Sequence, residues 1–552
     1  MRTMFLDPPE RPTRSTTFIV AVASLWLAVV GNLALWRNLS NLPDLAGSRG
    51  VLFAIAFAFM IACVIAAVLS LFAWRYTLKV SITLLLLLAA FATHYMWMYG
   101  IVVDTPMLVN VLQTDAREAS DQLSWQLLVT VLLIAILPMA WLWRQALVVH
   151  TWPQQALRNL GLLMASMTLL FGTTQLVFQD FSSLMRNYTE MRYQINPLNS
   201  IYAVLDMTVI PAEQPRGPMQ ALGEDAHFAP HATDDAQRPR LLVFVLGETA
   251  RSQNFSLNGY PRNTNPALTK ENVTSFTQVS SCGTSTAESL PCMFSHLGRE
   301  AFNKRSNEFE NMLDVLQRAG YAVLWIDNQS GCKGQCARIP YVNTSDLKLP
   351  AYCDTGECRD TIMLARVDEE IAKLSPERRA RGVVVVMHQM GSHGPAYFKR
   401  SPAEFKPFTP ECTDTSLSRC NREEVINAYD NTIVFTDHFL SQVIGWLKTQ
   451  HAHHTPAMLY VSDHGESLGE KNMYLHGLPY SVAPPEQTTV PLITWLSPRF
   501  EQVSRISTRC LNAQRHKPFS HDHLFHSVLG LMSVKTSAYQ PELDLFAACE
   551  GR

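Results

Sequence analysis

The sequence predicts an α/β protein in two parts, a transmembrane domain of five helices followed by a doubly wound α/β domain outside the cytoplasm. Three observations predict it. Apolar runs crowd residues 1–180 of the 552-residue chain. After residue 240, short apolar runs alternate with amphipathic stretches, as in a mostly parallel sheet covered by helices on both faces. Ten of the eleven cysteines lie in this second part, as expected for a domain in an oxidising compartment.

Five apolar segments, each near the ~20 residues that cross a bilayer as a helix, define the first domain, residues 1–178. They are Phe18–Trp36, Val51–Trp74, Val80–Val103, Trp125–Trp143 and Leu160–Phe178. The positive-inside rule places the N-terminal end in the cytoplasm, because most flanking cations then lie on that side: Arg2, Arg11, Arg14, Arg75, Lys79, Arg144 and Arg158. Five crossings therefore leave the large domain outside. No small-residue cleavage site ends the first segment, so a cleaved signal peptide is not expected.

Two further stretches are expected to lie at the membrane. In the polar loop of residues 104–124, Asn110, Thr114 and Glu118 recur at i, i+4 and i+8, on one face of a helix. That face is either merely solvated or meets a phospholipid head group. Residues 179–204 have the mixed composition of an amphipathic helix on a membrane surface, and residues 206–240 are predicted to be a linker. Residues 179–240 thus bridge to the domain of residues 241–552.

Charge and cysteine content narrow the function classes. With 45 basic and 47 acidic residues, the chain has no charge excess that would favour a nucleic acid. An even number of cysteines at short spacings indicates disulfides. Cys332-x3-Cys336 and Cys353-x4-Cys358 could instead hold zinc through four thiolates, but the predicted side of the membrane favours disulfides. Cys63, inside an apolar run, is predicted to be a buried thiol.

The predicted strands of the second domain are Leu241–Leu246, Ala322–Ile326, Val383–Met387, Met458–Val461 and Leu492–Leu496, with helices at Asn311–Ala319 and Val425–Leu447. Polar side chains follow two of these strands: Glu248 comes after the first, and Asp463 and His464 after the fourth. Ligand-binding groups collect at the carboxyl ends of strands in open α/β sheets. Two carboxylates and an imidazole suit Zn²⁺ in a tetrahedral shell with one position left for a reacting group. The alternative is an ordinary polar turn.

Thr286 is predicted to occupy that fourth position as the nucleophile. A threonine hydroxyl is a poor nucleophile at neutral pH, and metal coordination is one of the few ways to stabilise its alkoxide. A short helix beginning at residues 287–289 would add free N–H groups that stabilise negative charge on the oxygen and on a phosphoryl group. Taken alone, Thr286 is better explained as a helix N-cap.

A second group of side chains is predicted to bind substrate: His393, His476, Asn328, Ser330 and Lys333. Cationic groups and hydrogen-bond donors suit the equatorial oxygens of a transferring phosphoryl group. The two histidines could bind the phosphate acceptor, exchange its proton or hold a second zinc ion, and the sequence does not choose between these. His388 and Glu466 are predicted to support the zinc ligands through hydrogen bonds.

Several motifs between Gly247 and Tyr480 together resemble a known family in sequence and spacing. They are Gly247-Glu248-Thr249-Ala250-Arg251 with Asn258-Gly259-Tyr260-Pro261-Arg262, Cys282 to Cys292, His388 to Pro395, Ser462 to Glu470, and Leu475-His476-Gly477-Leu478-Pro479-Tyr480. With the membrane segments, these motifs resemble the lipid A phosphoethanolamine transferases of the alkaline-phosphatase-like superfamily, including the polymyxin-resistance enzymes. The resemblance extends over nearly the whole chain. Glu288, two residues after Thr286, departs from it, because an apolar residue is expected there.

The resemblance implies an alkaline-phosphatase/sulfatase-like fold for residues 241–552 and transfer of phosphoethanolamine from phosphatidylethanolamine to a lipid A phosphate through a covalent Thr286 intermediate. It implies that Asn110, Thr114 and Glu118 meet the lipid head group. It also implies that the cysteines pair in sequence: Cys282 with Cys292, Cys332 with Cys336, Cys353 with Cys358, Cys412 with Cys420, and Cys510 with Cys549. One zinc ion is expected, and a second is left open. The added ammonium would weaken binding of cationic peptides such as polymyxin.

The expected protein is a monomer in the bacterial inner membrane with its catalytic domain in the periplasm. Kdo, heptose or another periplasmic glycan is the alternative acceptor. A sulfatase would need Cys or Ser followed by x-Pro-x-Arg, which neither Thr286 nor Cys292 introduces. A non-enzymatic zinc sensor with an inactive domain is disfavoured by the intact set of Thr286, Glu248, Asp463 and His464.

Overall fold

The computed structural model describes residues 12–42, 45, 47–114, 119–120, 122–208, 218–229, 234, 237–347, 349–354 and 357–551. Glu118, predicted to contact a head group, lies outside the described residues. The chain separates into two compact units. The membrane unit comprises residues 1–105 and 123–210, and the catalytic unit comprises residues 106–122 and 211–552. A short stretch between two membrane helices thus belongs to the catalytic unit.

The membrane unit contains, within the described residues, five helices long and apolar enough to span a bilayer: Thr16–Ser40, Ser48–Leu71, Leu78–Tyr99, Trp125–Arg144 and Trp152–Leu176. The predicted number of spans is confirmed. The fifth helix begins eight residues before the predicted Leu160, because a capping box formed by Thr151 and Gln154 starts it at Trp152. The prediction is based on apolar residues, so it does not include the polar first turn of this helix.

Buried polar side chains tie the spanning helices together. Asn32 lies where the first helix narrows to a 3-10 turn, and its amide donates to Leu27 O at 2.9 Å and Asn196 O at 2.7 Å. The first helix also bonds the fourth, since Trp26 Nε1 donates to Ile134 O at 3.1 Å within a π-helical turn. In an apolar medium a backbone carbonyl needs a partner within the protein, and each of these bonds supplies one.

The single amphipathic helix predicted for residues 179–204 is wrong in detail. The structure has three helices, Phe178–Asn187, Glu190–Tyr193 and Leu198–Thr208. Pro197, which has no N–H to donate, immediately precedes the third of these and interrupts the helical hydrogen bonds.

An eight-stranded sheet organises the catalytic unit. In chain order its strands are β1 Arg240–Gly247, β2 Val273–Ser280, β3 Ala322–Asp327, β4 Tyr341–Asn343, β5 Gly382–His388, β6 Thr455–Ser462, β7 Thr489–Leu496 and β8 Phe519–Ser520. Their spatial order is β8-β2-β7-β6-β1-β5-β3-β4, and β7 alone pairs antiparallel with both neighbours. The predicted mostly parallel α/β fold is confirmed.

The central strands are buried on both faces, which explains their continuous apolar sequences. Every residue of β1, β5 and β6 is buried. The helices of the unit are Thr105–Gln113, Thr286–Met293, Gly298–Asn303, Met312–Arg318, Val367–Ala372, Pro376–Arg379, Arg422–Thr449, Pro485–Thr488, Pro498–Ser504, Thr508–Gln514 and Leu524–Leu531. The longest begins three residues before the predicted Val425, because Asn421 and Glu424 form a capping box.

All five predicted disulfides are confirmed, and Cys63 is a buried free thiol. Part of the predicted linker is ordered, since Leu222 and Ala226 join the core of the catalytic unit. Strand β2 is missing from the prediction because its threonines, serines and glutamine break the apolar pattern.

Candidate metal centre and transfer site

Two adjacent strands bring the predicted zinc ligands to one edge of the sheet. β1 and β6 are parallel neighbours in which Gly247 pairs with Ser462, so both strands end at the same level. Glu248 follows β1 directly, and Asp463 and His464 follow β6. All three side chains are fully buried.

The three side chains converge. One ligand atom from each lies within 4.8 Å of the others. His464 Nε2 lies 3.5 Å from Glu248 Oε1 and 3.4 Å from Asp463 Oδ2. His464 Nδ1 lies 2.9 Å from Gly465 O, which assigns the Nδ1 proton to that bond and leaves Nε2 to face the carboxylates.

Backbone groups fix one oxygen of Asp463 and leave the other for a ligand. Asp463 Oδ1 accepts the N–H groups of Thr249 at 3.1 Å and His464 at 2.8 Å. Asp463 Oδ2 is buried and has no hydrogen-bond partner among the described residues. A buried carboxylate oxygen without a donor is costly, and a cation would satisfy it.

The pKa values of these groups show the same need for positive charge. Burial and the charge of Glu248 raise the pKa of Asp463 to about 6. Burial lowers the pKa of His464, but Asp463 and Glu248 outweigh it and raise that pKa to about 10. Burial opposes ionisation of Glu248 as well, yet His464 holds its pKa below the usual range. Zn²⁺ would take the place of the proton on His464.

Thr286 completes the cluster. It is the first residue of the helix Thr286–Met293, here called the nucleophile helix after the predicted role of Thr286, and Ser285 is the N-cap. Thr286 Oγ1 lies 3.3 and 3.1 Å from the two carboxylate oxygens of Glu248 and 3.5 Å from His464 Nε2. Four ligands held about 2 Å from a tetrahedral zinc ion lie roughly 3.3 Å apart, so these residues fit the ion.

His393 and His476 lie beside this cluster. The ring centroids of His476 and His464 are 4.3 Å apart, and those of His393 and His476 are 5.7 Å apart. His476 Nδ1 lies 3.2 Å from Glu466 Oε1. Burial raises the pKa of Glu466 to about 8. The structure therefore brings both predicted histidines and Glu466 to the site.

Two carboxylates that the sequence analysis does not predict, Asp327 and Asp360, bind residues next to the cluster. Asp327 Oδ1 lies 2.8 Å from His388 Nδ1, and this bond turns His388 Nε2 to within 4.0 Å of Glu248 Oε2. Asp360 accepts the N–H groups of Met390 at 2.8 Å and Gly391 at 3.0 Å. Asp327 directly follows the predicted strand Ala322–Ile326, a position that could have flagged it. Asp360 lies in a 3-10 helix with no such signal.

The side chain of Asn328 forms hydrogen bonds with three other residues of the protein. Its amide donates to Cys358 O at 2.9 Å and to Asp360 Oδ1 at 2.8 Å, while its oxygen accepts the Thr344 hydroxyl at 2.6 Å. These bonds give Asn328 a structural task. Its predicted contact with substrate stays a prediction.

Ser330 and Lys333 meet the helix Thr105–Gln113, here called the loop helix. Lys333 Nζ donates to Ser330 Oγ at 3.0 Å and to Gln113 O at 3.1 Å. Asn110 lies on the loop helix, and the hydroxyl of Thr114, just beyond its end, donates to Asn110 O at 2.8 Å. The predicted substrate roles of these four residues stay predictions.

His521 is a further residue that sequence reasoning missed. It is fully buried, and its Nδ1 accepts the Cys282 N–H at 3.0 Å while its Nε2 donates to Ser462 O at 3.0 Å. It thereby joins the loop before Thr286 to the end of β6. Burial lowers the pKa of His521 to about 3, so it is neutral. Its place in the sequence, far from every motif, gave no signal.

Comparisons with known proteins identify the family of this chain. Residues 61–210 match the family described as phosphoethanolamine transferase EptA/EptB, and residues 240–534 match the sulfatase family. Phosphoethanolamine transferase EptA of Escherichia coli (strain K12) is 35% identical over 98% of both chains. Phosphatidylethanolamine transferase Mcr-1 of Escherichia coli is 38% identical over 88% of this chain and 90% of that protein.

The fold matches over the same length. The solved structure of the integral membrane protein lipooligosaccharide phosphoethanolamine transferase A (EptA) from Neisseria meningitidis has a TM-score of 0.92 and 34% sequence identity, covering 98% of this chain and 100% of that chain. The chain therefore belongs to the phosphoethanolamine transferases, and its catalytic unit belongs to the sulfatase family.

Proposed function

We propose that this protein transfers phosphoethanolamine from phosphatidylethanolamine to a phosphate of lipid A, and that Thr286 carries the group between them. The observation that carries the proposal is the hydroxyl of Thr286 at 3.1 Å from Glu248 and 3.5 Å from His464, at the start of a helix. Glu248, Asp463, His464 and Thr286 would hold one zinc ion. When bound, zinc supplies positive charge that favours the ionised hydroxyl and the developing phosphoryl charge.

The reaction has two displacements. Thr286 Oγ forms a bond to the phosphorus of phosphatidylethanolamine while the bond to the glycerol oxygen breaks, and diacylglycerol leaves with the proton. An oxygen of the lipid A phosphate then bonds to the same phosphorus, the Thr286 bond breaks, and the threonine hydroxyl regains a proton. Phosphoethanolamine is thus moved without hydrolysis, and both lipid products stay in the membrane.

The remaining polar residues would bind the two substrates. His476, whose ring lies beside His464, and His393, whose ring lies beside His476, are suited to the acceptor phosphate and its proton. Ser330, Lys333, Asn110, Thr114 and Glu118 would bind the donor head group. The proposed protein is a monomer of the bacterial inner membrane with its catalytic unit in the periplasm.

Lipid A is the proposed acceptor because this chain is 34% identical, over 98% of its length, to the lipooligosaccharide phosphoethanolamine transferase A of Neisseria meningitidis. The Kdo(2)-lipid A phosphoethanolamine 7''-transferase of Escherichia coli (strain K12) is 25% identical over 91% of this chain. The added ammonium lowers the negative charge of the outer surface, so binding of polymyxin should weaken.

Mass spectrometry of lipid A tests the proposal. Expression of the full chain in a Gram-negative host that lacks this modification should add the mass of phosphoethanolamine to lipid A and raise resistance to polymyxin. A mass increment found only on Kdo or heptose would show that the acceptor is not lipid A but the alternative glycan. No increment on any glycolipid would overturn the proposed function.

A further inference from the structure

Glu288 lies two residues after Thr286, and its side chain folds back toward the start of the nucleophile helix. Glu288 Oε2 accepts the Thr284 N–H at 3.2 Å. The side chain lies so close over the backbone of Gly283 that a Cβ at that position would come within 2.8 Å of Glu288 Oε2. The carboxylate therefore rests on the two residues that lead into Ser285 and Thr286.

The same loop also meets the segment that follows His476. Thr284 Oγ1 donates to Leu478 O at 2.7 Å, so the residue that binds Glu288 also contacts the chain two residues after His476. Glu288 shares the nucleophile helix with Thr286, whose Oγ1 lies 3.1 Å from Glu248, so the carboxylate is two residues along the chain from the proposed zinc site.

Glu288 has no counter-ion of its own. It forms no salt bridge within the part of the chain that the structure describes, and Thr284 N–H is its one hydrogen-bond donor there. Arg299 is engaged elsewhere: its Nε donates to Cys282 O at 2.8 Å, and its guanidinium stacks 3.5 Å from the ring centroid of Tyr480. Glu288 is only partly buried, and Thr284 N–H is bonded to Oε2, so Oε1 is left for a ligand.

A carboxylate at this place is unsuited to anionic phosphates and suited to an ammonium group. In phosphoethanolamine the nitrogen is separated from the phosphorus by one oxygen and two carbons, a span of roughly 5 Å at standard bond lengths. When the phosphorus is bound to Thr286, the ammonium must therefore lie among the residues that surround the nucleophile. A charge-assisted bond to an ammonium is among the stronger polar interactions in proteins.

We propose that Glu288 binds the ammonium group of phosphoethanolamine, both in the donor lipid and in the Thr286 intermediate, and so makes the site selective for a donor head group with a terminal amine. The assignment rests on the proposed function. The competing explanation is that Glu288 only caps the helix start through Thr284 N–H. Glu288→Gln separates the two, because glutamine keeps the size and the acceptor oxygen but loses the charge.

The experiment compares two donor lipids with the full-length protein in detergent. Phosphatidylethanolamine and phosphatidylpropanol differ only by an ammonium in place of a methyl group, and release of diacylglycerol is measured for both. Wild type should favour phosphatidylethanolamine, and Glu288→Gln should reduce this preference by about tenfold, through loss on phosphatidylethanolamine alone. Glu300→Gln, an exposed change of the same kind in the next helix, should leave the preference unchanged.

A second measurement does not depend on turnover of the poorer lipid. Phosphoethanolamine should inhibit wild type more strongly than propyl phosphate, and Glu288→Gln should remove most of that difference. An unchanged preference in Glu288→Gln, or an equal loss on both lipids and both inhibitors, would overturn the assignment and leave the capping role. If wild type releases no diacylglycerol from phosphatidylethanolamine, the proposed function itself fails.

Discussion

The strand-end cluster and the substrate loop of the catalytic unit are built in opposite ways. The strand-end cluster, formed by Glu248, Asp463 and His464, is fully buried and fixed by backbone groups at the ends of two paired strands. The substrate loop, named for the predicted role of Ser330 and Lys333, is partly exposed, and its side chains bond to one another and to a carbonyl of the loop helix. The difference teaches that burial and backbone hydrogen bonds are concentrated at the proposed metal and nucleophile site. Changes in the first region should abolish chemistry, and changes in the second should weaken binding.

Replacement of Thr286 should have the largest effect. Thr286→Ala removes the oxygen that bonds to phosphorus, so diacylglycerol release should fall at least ~1,000-fold. Zinc content, measured by elemental analysis, should persist because three ligands remain. Thr286→Ser keeps the hydroxyl and should retain measurable activity. Substantial transfer by Thr286→Ala would refute the covalent intermediate.

Replacement of Glu248 should come next. Glu248→Gln removes one negative charge from a buried site and should lower both zinc content and activity, the latter at least about 100-fold. Glu377→Gln, on the exposed helix Pro376–Arg379, provides the matched control. Full zinc occupancy in Glu248→Gln would show that the metal is held elsewhere.

Replacement of His521 tests whether the hydrogen bonds that join the loop before Thr286 to the end of β6 are needed for activity. His521→Ala removes two buried hydrogen bonds and should lower activity about tenfold and stability by about 2 kcal/mol at pH 7.5. Exposed His516, replaced by Ala, serves as the control.

His521 should make the folded protein less stable as the pH falls. The pKa of His521 is lowered to about 3, whereas an unfolded histidine titrates near 6.5. The unfolded chain therefore binds this proton first, and His521 costs stability as the pH falls from about 6.5 toward 3. The melting temperature of His521→Ala should fall less than that of wild type over this range. Parallel curves would contradict the assignment.

Replacement of Lys333 should have the smallest effect. Lys333→Ala should raise KM for phosphatidylethanolamine about fivefold with little change in kcat, since a partly exposed cation contributes modestly. Lys517→Ala, at an exposed position, should change neither value. A loss confined to kcat would place Lys333 with the strand-end cluster and remove the contrast between the regions.

The sequence predicts what local patterns encode. Continuous apolar runs mark β1, β5 and β6, and the acids and histidines after them mark the site. Strand β2 escapes prediction because its burial comes from neighbouring strands and not from its own composition. His521 and Asp360 escape because their roles consist of bonds to backbone groups that are distant in sequence. Only the tertiary fold brings these partners together, so no local sequence motif predicts the two residues.

The disulfides have a consequence for biogenesis. Four of the five join cysteines only 4, 5, 8 or 10 residues apart, and the fifth spans 39 residues. Closing such short loops demands little chain entropy. Each bridge can thus form as its own segment emerges from the translocation channel, before the next pair of cysteines arrives, and pairing in order avoids mismatched thiols.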